Sequence, residues 1–119
     1  MRLAFDRDIE RRRIVGRFRL GAEYQGGPGF IHGGIIATVL DEAMGKVCRF
    51  DDVRAITAEL NIEYLRPVRV EEEIQVEAYE AGRDGRQFIH QGEIRNAAGE
   101  LLARSRGRFV VVDPARFRV

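Results

Sequence analysis

His32, Gly33 and Gly34 stand in a row, and an acid, Asp41, follows nine residues after the histidine. If the chain turns helical at Gly33, the first turn presents backbone N–H groups without partners, at the positive end of the helix dipole. Glycine at both places lets a ligand come against that backbone with no side chain between. Donors of that kind can hold negative charge that develops on an oxygen. Asp41 sits among Val39, Leu40, Ala43 and Met44. An acid in such surroundings is costly unless it is partnered or at work. Close packing on a sheet would also suit the two glycines, and a solvated face would also suit the acid. The residues alone leave both readings open.

Other reaction types lack their residues. Ser105 is the one serine, set between Arg104 and Arg106 in an extended pattern, and no Gly-x-Ser-x-Gly turn exists. Cys48 has no histidine near it in sequence, and a lone cysteine is most often structural. His32 and His90 are the two histidines, and neither belongs to a metal-binding spacing. Lys46 is the one lysine, with no context for Schiff-base chemistry. Gly26-Gly27-Pro28-Gly29 lacks the strand and lysine of a phosphate loop. No metal ion and no cofactor is expected. Carboxylates, one histidine, hydroxyls and backbone N–H groups are what remain for chemistry.

Elements must hold these residues in place. From Gly33 to Cys48 the chain is mostly apolar, and Ile35, Ile36, Val39, Leu40, Ala43, Met44 and Val47 share one broad stripe at spacings of three and four. The spacing predicts a buried central helix. Residues 14–20 alternate apolar with polar and read as a first strand. Residues 24–31 hold three glycines and a proline and read as a loop leading into the helix. Beyond Asp52, residues 53–64, 73–79, 87–95 and 101–112 read as strands. Turn signals at Arg66-Pro67, Gly82-Arg83-Asp84-Gly85 and Asn96-Ala97-Ala98-Gly99 separate them. Residues 1–12 read as a charged N-terminal arm, loose or helical. The fold class is α+β, one long helix against an antiparallel sheet of about five strands.

A length of 119 residues suits a single domain over residues 1–119. Twenty basic against nineteen acidic residues leave a net charge of +1, which gives no reason to expect nucleic acid as a partner. No apolar run approaches the roughly 20 residues that span a bilayer, and the charged first residues do not make a signal peptide. With one cysteine and no possible internal disulfide, the expectation is a soluble cytoplasmic protein with no membrane partner.

The stretch Pro28-Gly29-Phe30-Ile31-His32-Gly33-Gly34, running on to Asp41-Glu42-Ala43-Met44-Gly45, resembles the signature of hotdog-fold acyl-CoA thioesterases. The branch it resembles is that of the phenylacetate-pathway and 4-hydroxybenzoyl-CoA thioesterases. The later run Thr57-Ala58-Glu59-Leu60-Asn61-Ile62-Glu63-Tyr64-Leu65-Arg66-Pro67-Val68 is similar to the family's second strand. The resemblance covers residues 14–112. It implies a hotdog fold, an acyl-CoA substrate, and hydrolysis to a free acid and CoA. It further implies that the Gly33 N–H polarises the thioester carbonyl, with Gly34 helping to open the backbone to the substrate. Asp41 would act as nucleophile or as general base for water. Thr57 matches a position where the family often places a hydroxyl that orients the water or the acid, and it also suits an ordinary strand residue. His32 orders the loop at the helix start or takes part in proton transfer.

One position departs from the family's pattern. Several relatives carry Asn or Gln six residues before the histidine, where this chain has Gly26, and Gln25 is the neighbour that could substitute. Arg66, Arg83, Arg86, Arg104, Arg106 and Arg108 are candidates for the CoA phosphates, because guanidinium forks suit phosphate. Arg66, within the Tyr-Leu-Arg-Pro run, carries the substrate-binding assignment. Met44, Phe50 and Phe88 are candidate walls for the acyl group, and His90 reads as structural.

Gly33 and Asp41 lie eight residues apart, about 12 Å along a straight helix. A catalytic acid must come within about 3 Å of the atom it serves. The two therefore do not meet on one carbonyl from one helix, whereas an antiparallel partner helix would set its Gly33 opposite this Asp41. The expectation is a homodimer with two sites at its interface, and the family also makes dimers of dimers. Two other readings stand beside hydrolysis. One is an acyl-thioester hydratase or dehydratase, which needs a His paired with an acid; the other is a non-enzymatic acyl-CoA-binding module.

Overall fold

In the computed structural model, which describes residues 3–112, the apolar stripe does form a helix. Helix α1 runs Gly33–Lys46, two residues short of the predicted end, and the chain tightens into a 3₁₀ turn over Val47–Asp51. Ile36, Val39, Leu40, Ala43 and Met44 form its buried face. Burying a side chain of that size contributes roughly 1.5–3 kcal/mol, and it is this face rather than helix propensity that secures α1.

The face lies on one antiparallel sheet of six strands in the order β1-β2-β4-β5-β6-β3. The strands are β1 Asp6–Asp8, β2 Arg13–Arg19, β3 Ala55–Tyr64, β4 Glu73–Asp84, β5 Gln87–Asn96 and β6 Leu101–Val111. Two glycines let the helix sit close. A Cβ on Gly92 would lie 3.1 Å from Leu40 Cδ2, and one on Gly107 would lie 3.2 Å from Met44 Cε. Both predicted hairpins form, with Gly85 at φ 59° and Gly99 at φ 85°.

The N-terminal arm is neither loose nor helical where it is described. Asp6, Arg7 and Asp8 pair antiparallel with Val15, Ile14 and Arg13, which makes β1 the sixth strand where about five were expected. Backbone bonds to β2 hold it, and its charged side chains carry no alternation that would betray a strand. Met1, Arg2 and residues 113–119 lie outside the described residues. Among the described residues no helix is long and apolar enough to cross a membrane.

His90 is structural, as expected, and fully buried. Its Nδ1 lies 2.7 Å from the Met44 carbonyl oxygen, to which the Nδ1–H donates, and Phe109 stacks on the ring at 5.0 Å. Nε2 has no partner among the described residues. Burial pushes the His90 pKa below its ordinary value, outweighing the Met44 hydrogen bond that favours the charged form. The unfolded chain takes up this proton near pH 6.5 and the folded chain only lower, so stability is lost as pH falls below about 6.5. Denaturant titrations at pH 7.5 and pH 5 are expected to show a larger loss for wild type than for His90→Gln. Equal losses would remove His90 as the source.

Candidate active site

The site begins in the loop before α1. Gln25 Oε1 accepts the Gly29 N–H at 2.8 Å, and Gly26 N–H donates to the Phe30 carbonyl at 2.9 Å. Gly29 turns the loop at φ 83°, where a side chain would be strained. The loop delivers His32 in an extended conformation, φ −60° and ψ 136°, as the N-cap of α1.

His32 then satisfies nearly every open donor of the first turn. Its Nδ1 accepts the Gly34 N–H at 2.8 Å. Its carbonyl accepts the N–H groups of Ile35 at 3.0 Å and Ile36 at 3.2 Å. Gly33 N–H alone of the four has no acceptor among the described residues. The histidine that orders the helix start therefore leaves one donor bare at the positive end of the dipole. The Gly34 N–H is spent on His32.

Eight residues on, Asp41 is half-buried and paired. Thr57 Oγ1 donates to Asp41 Oδ1 at 2.8 Å. Thr57 can reach because β3 carries a bulge between Thr57 and Glu59, a device that re-aims side chains. Directly paired residues share a sheet face. Thr57 pairs with Phe109, Leu60 with Gly107, Ile62 with Ser105 and Tyr64 with Ala103, so all four β3 residues lie on the side of the sheet that α1 covers.

Tyr64, which the motif reading gave no role, joins the other end of α1. Its hydroxyl donates to the Gly33 carbonyl oxygen at 2.8 Å. A cavity of about 280 Å³ opens there, lined by Gly33, Ile36, Tyr64, Arg66, Val68 and Ala103 among others. Arg66 reaches its rim from an ion pair with Glu100 at 3.2 Å.

The other candidate arginines lie elsewhere. Arg83 is held by Asp51 and Glu80 over the Phe88 ring, and Arg104 by Glu63. Arg104, Arg106 and Arg108 line an open cleft of about 630 Å³ on the outer face of the sheet. That cleft is larger than the Gly33 cavity, but its walls alternate acid and base and no helix start opens into it. The expected walls Met44 and Phe88 are core residues, and Phe50 packs beneath Arg12. Cys48 is buried, and burial pushes its thiol up to about 11, which leaves no thiolate for nucleophilic work.

The sequence model of the thioesterase superfamily matches residues 28–112, which contain His32, Gly33, Gly34, Asp41, Thr57, Tyr64 and Arg66. The chain belongs to the thioesterase superfamily. A rat (Rattus norvegicus) relative, acyl-coenzyme A thioesterase THEM4, is 34% identical over 104 residues, covering 87% of this chain and 45% of the relative. The chain thus spans about half the length of the curated relatives it matches. A solved thioesterase superfamily protein superposes with a TM-score of 0.85 at 30% identity, covering 91% of this chain and 55% of that one. The Streptococcus mutans UA159 protein solved bound to acetyl CoA gives 0.86 at 17% identity, covering 94% and 90%, and shows the shared fold. One helix against an antiparallel sheet is the hotdog fold that this chain shares with these solved structures.

Proposed function

We propose that this chain hydrolyses acyl-CoA thioesters to a free acid and CoA. The observation that carries the reading is the single bare N–H of Gly33 at the head of a helix whose other early donors are satisfied. The thioester carbonyl oxygen accepts that N–H, and the negative charge that forms on it is held by the donor and the helix dipole. Asp41 takes the proton of a water whose oxygen attacks the carbonyl carbon. The adduct then expels CoA as thiolate, which recovers the proton. Alternatively an Asp41 oxygen attacks first and expels CoA as thiolate, giving a mixed anhydride that water opens at the Asp41 carbonyl to release the free acid. Label appearing in Asp41 after turnover in ¹⁸O water would establish the second route.

Gly33 and Asp41 act on one carbonyl only across a dimer. β3 is an edge strand in which Ile56 is 50%, Leu60 36% and Tyr64 56% exposed, beside Leu65 at 45%. An uncovered edge strand of ten residues that exposes these side chains invites a second copy of itself. A second copy pairing there brings its α1 alongside, with the partner's Gly33 at this Asp41. Arg66, at the rim, faces the CoA phosphates. The hydratase reading loses ground because His32 Nδ1 is spent on Gly34 and His90 is buried.

The test is thiol release from short aliphatic, long aliphatic, phenylacetyl and hydroxybenzoyl CoA esters. Turnover of at least one ester is expected. Binding without thiol release would replace hydrolysis by an acyl-CoA-binding role. Thr57→Val, which keeps the shape and deletes the hydroxyl on Asp41, is expected to lower kcat about tenfold. An unchanged kcat would reduce Thr57 to a strand residue.

A further inference from the structure

Two adjacent glycines open the helix start to a ligand, and the same two residues have the loosest backbone available. A donor that wanders contributes little to an oxyanion, because its worth lies in being fixed before the charge appears. Something outside the glycines must hold them. His32 takes one end of the Gly33–Gly34 peptide, accepting its N–H at 2.8 Å. Tyr64 takes the other, donating its hydroxyl to the carbonyl of the same peptide at 2.8 Å. One peptide group is thus clamped at both ends, and hydrogen bonds in such a chain reinforce one another.

Tyr64 is also in the right place to shape what Gly33 meets. Its ring atoms lie 3.6 Å from where a Gly33 Cβ would stand, and the ring walls the cavity that Gly33 lines. The residue sits at the C-terminal end of an edge strand and is 56% exposed, so packing alone does not aim its hydroxyl. The hydroxyl nonetheless goes to the helix start. Resting on the thioesterase reading, we propose that Tyr64 is a positioning residue for the Gly33 N–H, acting through the Gly33 carbonyl to fix the glycine pair from which that donor projects.

Tyr64→Phe keeps the ring and removes the clamp. It is expected to lower kcat about tenfold, with KM for the best ester within about twofold and the melting temperature unchanged. The second readout is the thioester C=O stretch of that ester bound to Asp41→Asn protein, where hydrolysis is slow. The stretch is expected to fall below its solution frequency on binding, and to return part of the way when Tyr64→Phe is added. Wild-type kcat and an unmoved stretch in the Phe variant would overturn the inference alone. So would a loss that appears wholly in KM, which marks a binding wall rather than a positioning group. No thiol release by wild type on any ester would bring down the thioesterase reading and this inference with it.

Discussion

A Gly33→Pro variant is expected to fold like the wild type and to hydrolyse acyl-CoA esters about 10²–10³ times more slowly, the usual cost of losing one oxyanion donor. Proline deletes one N–H, and the structure makes that deletion specific. Gly33 is the first residue of α1, the one helical position where proline is favoured because no intrahelical bond is lost. His32 before it already holds φ −60° and ψ 136°, within the extended region a residue before proline prefers. A Cβ at residue 33 would meet the Tyr64 ring at 3.6 Å, an ordinary contact. The N–H removed has no acceptor among the described residues, so the fold gives up no hydrogen bond. Circular dichroism and a melting curve check the fold, and thiol release checks the rate. A well-folded variant with full turnover would mean that another donor holds the carbonyl oxygen.

The parts of this molecule that follow local rules were legible in the sequence. A stripe at spacings of three and four is α1, and Asp84-Gly85 and Ala98-Gly99 are tight turns with their glycines at positive φ. Even there, β4 runs past Tyr79 to Asp84, because a bulge between Glu80 and Gly82 lets the strand continue through polar residues. β1 was not legible, since Asp6-Arg7-Asp8 joins the sheet by its backbone at an exposed edge. The site's two hydrogen bonds were less legible still. Asp41 and Thr57 are 16 residues apart, and Gly33 and Tyr64 are 31 apart. The family resemblance pointed to Thr57 as a hydroxyl for the water or the acid, with an ordinary strand residue as the other reading. Tyr64 was within the Tyr-Leu-Arg-Pro run, but no periodicity shows that a strand end will fold back on the helix start. Gln25 shows the converse. Its side chain, the candidate to substitute for the Asn or Gln of relatives, instead closes the loop by accepting the Gly29 N–H.

Asp41→Asn is expected to lose about 10²–10⁴ of the hydrolysis rate, since an amide of the same shape neither accepts the proton of water nor attacks a carbonyl. Mixed with Gly33→Pro protein, it also decides where the site lies. Within one chain the bare N–H and the carboxylate are about 12 Å apart along α1, too far to serve one carbonyl. The contacts Gly33–Tyr64 and Asp41–Thr57 run α1 antiparallel to β3. One two-fold axis passing beside Ala37 and between Leu60 and Asn61 would therefore bring Gly33 of each copy to Asp41 of the other, and Tyr64 to Thr57. Equal amounts of the two inactive variants, unfolded together and refolded, form mixed dimers in half of the molecules. Each mixed dimer carries one site with both Asp41 and Gly33 intact, so about a quarter of wild-type activity is expected to return. A site contained in one chain would give no recovery at any mixing ratio. Recovery that disappears when the Asp41→Asn chain also carries Leu60→Arg would tie the shared site to the exposed β3 edge, where Leu60 is uncovered. A charge there blocks the pairing of two copies while leaving each chain's own core untouched.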